Sequence, residues 1–179
     1  NTALTAAAIS FAGAGMLGAP SLKTGMTTNK LPRWKGFNLL DYFTPTASTD
    51  PGSKTTEDDF RWMRDWGFDF VRLPMAYPRY LSFDRSRDIL PEEVYKMDNS
   101  VLDEIDRLVF LAQKHGLHVS LNLHRGPGYC INAGFHEPFN LWKDQAAKDA
   151  FNFHWGMWAE RYKNISSAKL SFDLLNEPA

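Results

Sequence analysis

Cysteine is almost absent: Cys130 is the only one in 179 residues. A single thiol supports neither an internal disulfide framework nor a cysteine-rich zinc site. Charge of one sign is missing too, with 20 Lys plus Arg against 21 Asp plus Glu and a formal net charge of −1. Without a basic excess there is nothing to neutralise a phosphate backbone, which argues against a general nucleic-acid binder. No apolar run approaches the roughly 20 residues that a membrane-crossing helix needs. The aromatic-poor composition of disordered chains is also lacking, since 6 Trp, 6 Tyr and 13 Phe are present. What remains is an aromatic-rich chain long enough for one domain with its own core.

Residues 1 to about 30 differ from the rest. The run from Asn1 to Gly15 is weakly apolar, rich in small residues and free of charge. It is like the apolar region of an export signal, with Ala12-Gly13-Ala14 as a small-x-small cleavage site. Its low hydrophobicity leans towards a twin-arginine leader. Gly13, Gly15, Gly18 and Pro20 argue against an ordinary alanine-rich helix. The expectation is a leader over 1–30, a secreted or periplasmic protein, and a domain over 31–179. Gly13-Ala14-Gly15-Met16-Leu17-Gly18 also fits the dinucleotide fingerprint, with Asp41 downstream. That fingerprint works only between a strand and a helix, and residues 19–34 carry Pro20, Gly25, Pro32 and no helical apolar period. No nucleotide site is expected there.

From Lys35 onward two kinds of segment alternate. Short apolar runs predict strands over 36–40, 68–73, 117–123 and 168–175. Apolar residues at helical spacing, with Thr56 as a cap and Gly67 and Gly116 as stops, predict helices over 56–66 and 99–115. A third, aromatic helix is expected over 145–162. The order β-α-β-α-β-α-β argues for an α/β fold with a parallel sheet. Connections after strands (41–55, 74–97, 124–142) are long and those after helices are short. Long loops at the C-terminal ends of parallel strands are where barrels and doubly wound sheets build their sites. The pattern fits half of a (β/α)8 barrel or an open sheet and does not choose between them.

The same strand ends carry polar residues: Asp41, Arg72, Asn122 and His124, then Asn176 and Glu177. In a parallel sheet they converge on one edge, a default active-site hypothesis. Arg72 fits an ion-pair role and a functional role equally. Asn122 and His124, two apart and on one face, read as functional in each other's company. Asp41 reads as a loop-capping residue. His115 and His118 are not spaced to hold a metal, and His136 and Glu137 are individually uninformative. Glu177 is the best single candidate, because Pro178 should hold it in extended backbone and so fix its direction.

Four stretches carry a family resemblance. Leu174-Leu175-Asn176-Glu177-Pro178 resembles the acid/base motif of retaining enzymes in glycoside hydrolase family 5, the cellulase family. Phe70-Val71-Arg72-Leu73-Pro74 is similar to the second-strand motif, and Leu121-Asn122-Leu123-His124-Arg125-Gly126-Pro127-Gly128 to the third. Lys35-Gly36-Phe37-Asn38-Leu39 resembles the first-strand motif. Together they cover residues 34–178 in order.

The resemblance implies a (β/α)8 barrel, here its first four strands and three helices. It implies Glu177 as general acid/base, Asn176 at the sugar 2-hydroxyl, and Arg72 and His124 orienting the carboxylates. Asn122, Tyr129 and Trp142 become substrate-contact candidates, with Phe135, Phe139, Trp34 and Tyr42 as further aromatics near the cleft. Neither metal nor organic cofactor enters such chemistry, and the family favours a β-1,4-glucan as substrate, with mannan, β-1,3-glucan and other β-glycosides open. Retaining hydrolysis needs a second carboxyl about 5–5.5 Å from the first. The family places it on the seventh strand; Asp173, inside the fourth, is no substitute. The expectation is therefore the N-terminal half of a β-glycosidase, inactive alone. The alternative is a self-associating half barrel that binds carbohydrate without cleaving it.

Overall fold

A computed structural model describes residues 32–178. The expected leader and the rejected glycine fingerprint lie outside the described residues. The regular elements are β1 (Gly36–Asn38), α1 (Glu57–Asp65), β2 (Phe70–Ala76), α2 (Asn99–Lys114), β3 (His118–Arg125), α3 (Gln145–Tyr162) and β4 (Leu170–Asp173). α3 matches its expected span. β1 and β4 are shorter than expected, whereas β3 runs two residues further and takes in His124 and Arg125.

Local chemistry explains the helix boundaries. Ahead of α1 the Asp59 carboxylate accepts from Thr56 N at 2.7 Å and Thr56 Oγ1 at 2.8 Å, satisfying an amide that the helix leaves unpaired. Asp98 caps α2 by accepting from Ser100 N and Val101 N. Leu102, Ile105, Leu108, Val109 and Ala112 form the buried face of α2, the spacing of one helical stripe.

All three strand pairings are parallel and the sheet order is β1-β2-β3-β4. Doubly wound sheets reverse their strand order at a switch point. An unreversed order, with a helix in every connection, is that of a barrel segment. At β1 the strands approach so closely that a Cβ on Gly36 would lie 1.6 Å from Phe70 O, so no side chain fits there.

Pleating divides the sheet into two chemically different faces. Val71, Leu73, Met75, Val119, Leu121 and Leu123 are buried in the apolar core. The other face is largely polar, because the register aligns Arg72 with Ser120 and Ser171, and Pro74 with Asn122 and Asp173. At its N-terminal end Trp34, Phe70 and His118 stack together, with Trp34 4.0 Å from the His118 ring.

The long connection after β2 holds two 3-10 helices, Tyr77–Tyr80 and Pro91–Tyr95. It is docked on α3 by the buried His154. The ring Nε2 donates to Val94 O at 2.9 Å, which leaves Nδ1 to accept from the Tyr80 hydroxyl at 3.0 Å. Burial lowers the His154 pKa to about 4, so the ring is neutral near pH 7. In the same connection Glu93 takes both Arg87 Nη groups at 2.8 Å. Those bonds, with the Leu90 amide, pull its pKa down to about 2.

Candidate active site

Arg72 is the first group to place. Its Nε and Nη2 reach the Asp173 carboxylate at 3.1 and 3.0 Å, and Nη2 donates to Asn176 Oδ1 at 2.9 Å. Because β3 lies between β2 and β4, the side chain passes over the small Ser120, its register partner. The ion-pair role expected of Arg72 is present: it holds Asp173 and Asn176.

Asn122 is fully buried, and its Nδ2 donates to Asp173 O at 3.1 Å. That bond joins β3 to β4 and leaves Oδ1 of the expected substrate contact unpaired. His124 is buried as well. Its Nε2 donates to Asn132 Oδ1 at 2.6 Å, and Phe43 packs on the ring at 4.3 Å between centroids. Neither His124 nor Arg72 makes a hydrogen bond or ion pair with the Glu177 carboxylate.

β4 stops at Asp173, so Asn176 and Glu177 follow the strand instead of ending it. Asn176 N still donates to Leu123 O at 3.1 Å, which carries the chain along β3. The expected extended conformation of Glu177 is corrected as well: its φ is +45°, in the left-handed region that a non-glycine residue rarely enters. Its carbonyl is held by the Tyr129 hydroxyl. Strain of this kind gathers at functional sites. The Glu177 side chain is exposed.

Three buried polar atoms at this edge have no hydrogen-bond partner among the described residues: Asn122 Oδ1, His124 Nδ1 and Asn176 Nδ2. Buried polar groups are nearly always paired, so three orphans on neighbouring side chains set this edge apart.

The loop after β3 provides the aromatic wall. Tyr129 and Trp142 meet edge to face at 5.2 Å, and Trp142 is 47% exposed. Gly128 permits this path with φ +81°, where a Cβ would meet Leu141 N at 2.7 Å. The other proposed aromatics are not in the wall. Trp34 precedes β1 and sits at the opposite end of the sheet. Tyr42 is buried, and Phe135 packs on Tyr77 under Arg125. Phe139 is packed against the core. Asp41 takes its expected capping role, accepting from Thr55 N at 2.8 Å and Thr55 Oγ1 at 2.6 Å.

Sequence reasoning missed Glu137. Its carboxylate accepts from Arg125 Nη1 at 2.7 Å, the Tyr77 hydroxyl at 2.7 Å and Gly128 N at 3.1 Å. Burial pushes its carboxyl above the ordinary range, against the pull of these three donors. Burial, reinforced by the Glu137 charge, also drives the Tyr77 phenol far upward. Arg125 then passes the restraint on, because its Nη2 donates to Asn132 O at 2.7 Å and Asn132 holds His124. A signal was available: Arg125 occupies the core side of β3, and Glu137 is the only carboxylate between Gly126 and Lys143. A buried cation requires such a partner.

Fold and site together define a β/α-barrel protein with a polar site at the C-terminal edge of its strands. The chain belongs to glycosyl hydrolase family 5: the family's cellulase model matches residues 24–179. Among its relatives is Endoglucanase C of Acetivibrio thermocellus, 34% identical over 122 residues, covering 68% of this chain and 32% of that protein. Cellodextrinase A of Ruminococcus flavefaciens is 30% identical over 125 residues, with the same two shares. A solved glycoside hydrolase structure superposes with a TM-score of 0.69 at 34% identity, over 81% of this chain and 41% of that one. The chain thus spans about a third of the length of the curated relatives it matches.

Proposed function

We propose that this chain forms the acid/base half of a retaining β-glycosidase site, with endo-β-1,4-glucanase-like specificity. Glu177 protonates the departing glycosidic oxygen and then activates water. Asn176 Nδ2 and His124 Nδ1 face the sugar hydroxyls, and Tyr129 and Trp142 offer ring surface to a pyranose. The observation that carries this reading is the set of three unpaired polar atoms gathered beside a strained, exposed Glu177.

Retaining chemistry needs a second carboxyl about 5–5.5 Å from the first. Asp173 is committed to Arg72, so we assign the nucleophile to the part of the relatives' length that this chain does not span. By itself the 179-residue chain is then expected to be inactive. Export to the periplasm or beyond suits a polymeric β-glycan substrate, which does not cross a membrane intact.

The test is hydrolysis of soluble β-glucans and β-mannans by this chain and by a version extended with the second half of a relative's barrel. The extended protein should be active, and Glu177→Gln should lower its kcat roughly 10²–10⁴-fold. Aryl glycosides with good leaving groups should lose far less in the glycosylation step, since they need no proton there. Undiminished turnover of β-glucan in Glu177→Gln would end the acid/base assignment. Activity of the unextended chain would end the assignment of the nucleophile elsewhere.

A second reading is favoured by exposed apolar groups at both sheet edges. Phe37 on β1 and Leu40 just after it are 43% and 61% exposed, while Phe172 on β4 and Leu174 after it are exposed at the other edge. Two copies pairing through these edges would form a carbohydrate-binding half-barrel dimer. A monomer in size-exclusion chromatography at high concentration excludes it.

A further inference from the structure

A cavity of about 530 Å³ lies beside the segment after β1, between that loop, Arg79 and the first turns of α2. That volume is within the range of small-ligand sites. The segment separates it from the site above: Phe43 packs on His124, while its neighbour Tyr42 lines the cavity.

The acids of the cavity are satisfied internally. Asp41 is bound to Thr55 through both oxygens, and Glu104 pairs with Arg107 at 3.2 Å. Two of its cations are not. Arg79 Nε is buried without a hydrogen-bond partner, and the guanidinium lies over the Tyr42 ring at 5.4 Å with no ion pair among the described residues. Lys54, an exposed lining residue, also has no ion pair among them. Thr44, Ser48 and Ser53 also line the cavity; Thr44 and Ser53 donate to Thr46 O and Asp50 O and Ser48 accepts from Asp50 N, which leaves each hydroxyl some capacity for a further bond.

We propose that this cavity is a second binding site, for a sugar acid: Arg79 and Lys54 take the carboxylate, and the wall hydroxyls take ring hydroxyls. The carboxylate half of this assignment rests on Arg79. The sugar half rests on the family reading above.

Calorimetric titration of the 179-residue chain with D-glucuronate, D-glucose and acetate tests it. A glucan oligosaccharide bearing one glucuronate branch forms a fourth arm. Glucuronate should bind saturably and about 10-fold or more tighter than glucose or acetate, the scale of a charge-assisted hydrogen bond. Arg79→Gln should abolish that advantage. Lys54→Gln should reduce it, and this exposed position keeps the test open if Arg79→Gln does not fold. Glu177→Gln should leave it unchanged, so failure here stays distinct from failure at Glu177. Tighter binding of the branched oligosaccharide identifies a glycan-borne acid, and equal binding a free one. Absence of saturable glucuronate binding, equal binding of glucose, or indifference to both cavity variants overturns the proposal.

Discussion

Arg72 on β2 clamps Asp173 and Asn176 across the intervening strand, joining groups 101 and 104 residues apart in sequence. Adjacent strands lie about 4.8 Å apart, so the contact spans two strand spacings. Only a long side chain passing over a small residue achieves that, and Ser120 is the residue beneath. The clamp fixes where the chain leaves β4, and thereby where Glu177 begins.

Arg72→Ala should therefore loosen the strand exit more than the sheet. The pair is partly exposed, at 24% and 40%, so screening keeps the global cost to about 1–2 kcal/mol. Hydrogen exchange should accelerate at 170–176 and stay unchanged at β2. Equal acceleration in both strands would show that the side chain supports the whole sheet.

Glu137 and Arg125 form the most enclosed ion pair described, with side chains 15% and 4% exposed. Removing one partner strands the other charge, so Glu137→Gln should cost about 3 kcal/mol in urea unfolding. The double variant Glu137→Gln/Arg125→Met should be more stable than Glu137→Gln alone. If the two substitutions simply add, the ion pair is not the source of the loss.

His154 predicts an acid sensitivity. Its pKa falls from the ordinary 6.5 to about 4 on folding, so between those values the unfolded chain binds more protons. Stability then rises with pH across that window and is lost as pH falls through it. The full contribution is about 3 kcal/mol. His154→Gln should flatten the dependence of the urea midpoint between pH 6.5 and 4. An unchanged slope would place the acid sensitivity elsewhere.

Gly128→Ala faces two penalties at one position: φ of +81° and a Cβ 2.7 Å from Leu141 N and 3.1 Å from Ala147 Cβ. Left-handed backbone and overpacking together should cost about 2–4 kcal/mol. Near-UV circular dichroism should also change, because Tyr129 follows directly and packs on Trp142. A thermal midpoint within a degree of the parent would mean that the loop takes another path.

Much of the architecture was legible because it repeats locally. Helical stripes such as Leu102, Ile105, Val109 and Ala112, the short apolar strands, and the Thr56 start each depend on neighbours within a turn or two. The strand-end residues Arg72, His124, Asn176 and Glu177 were legible too, being polar groups beside apolar runs. Trp34 misled: its place before β1 suggested the cleft, but a residue preceding a strand lies at the strand's N-terminal end. Glu177 misled differently. Pro178 constrains it locally, while Tyr129, 48 residues earlier, holds its carbonyl.

The sequence by itself determined the alternation of strands and helices, the edge at which the polar groups collect, and the motifs that mark the family. Hydrophobic period, caps and breakers act over a few residues, and that information survives without coordinates. Tertiary structure alone decided which polar groups meet. Arg72 takes Asp173, Glu137 takes Arg125 and Tyr77, and His154 joins Tyr80 to Val94. Each pairing follows from the need to satisfy a buried charge or donor, and a one-dimensional pattern does not say which distant acceptor is near enough to do it.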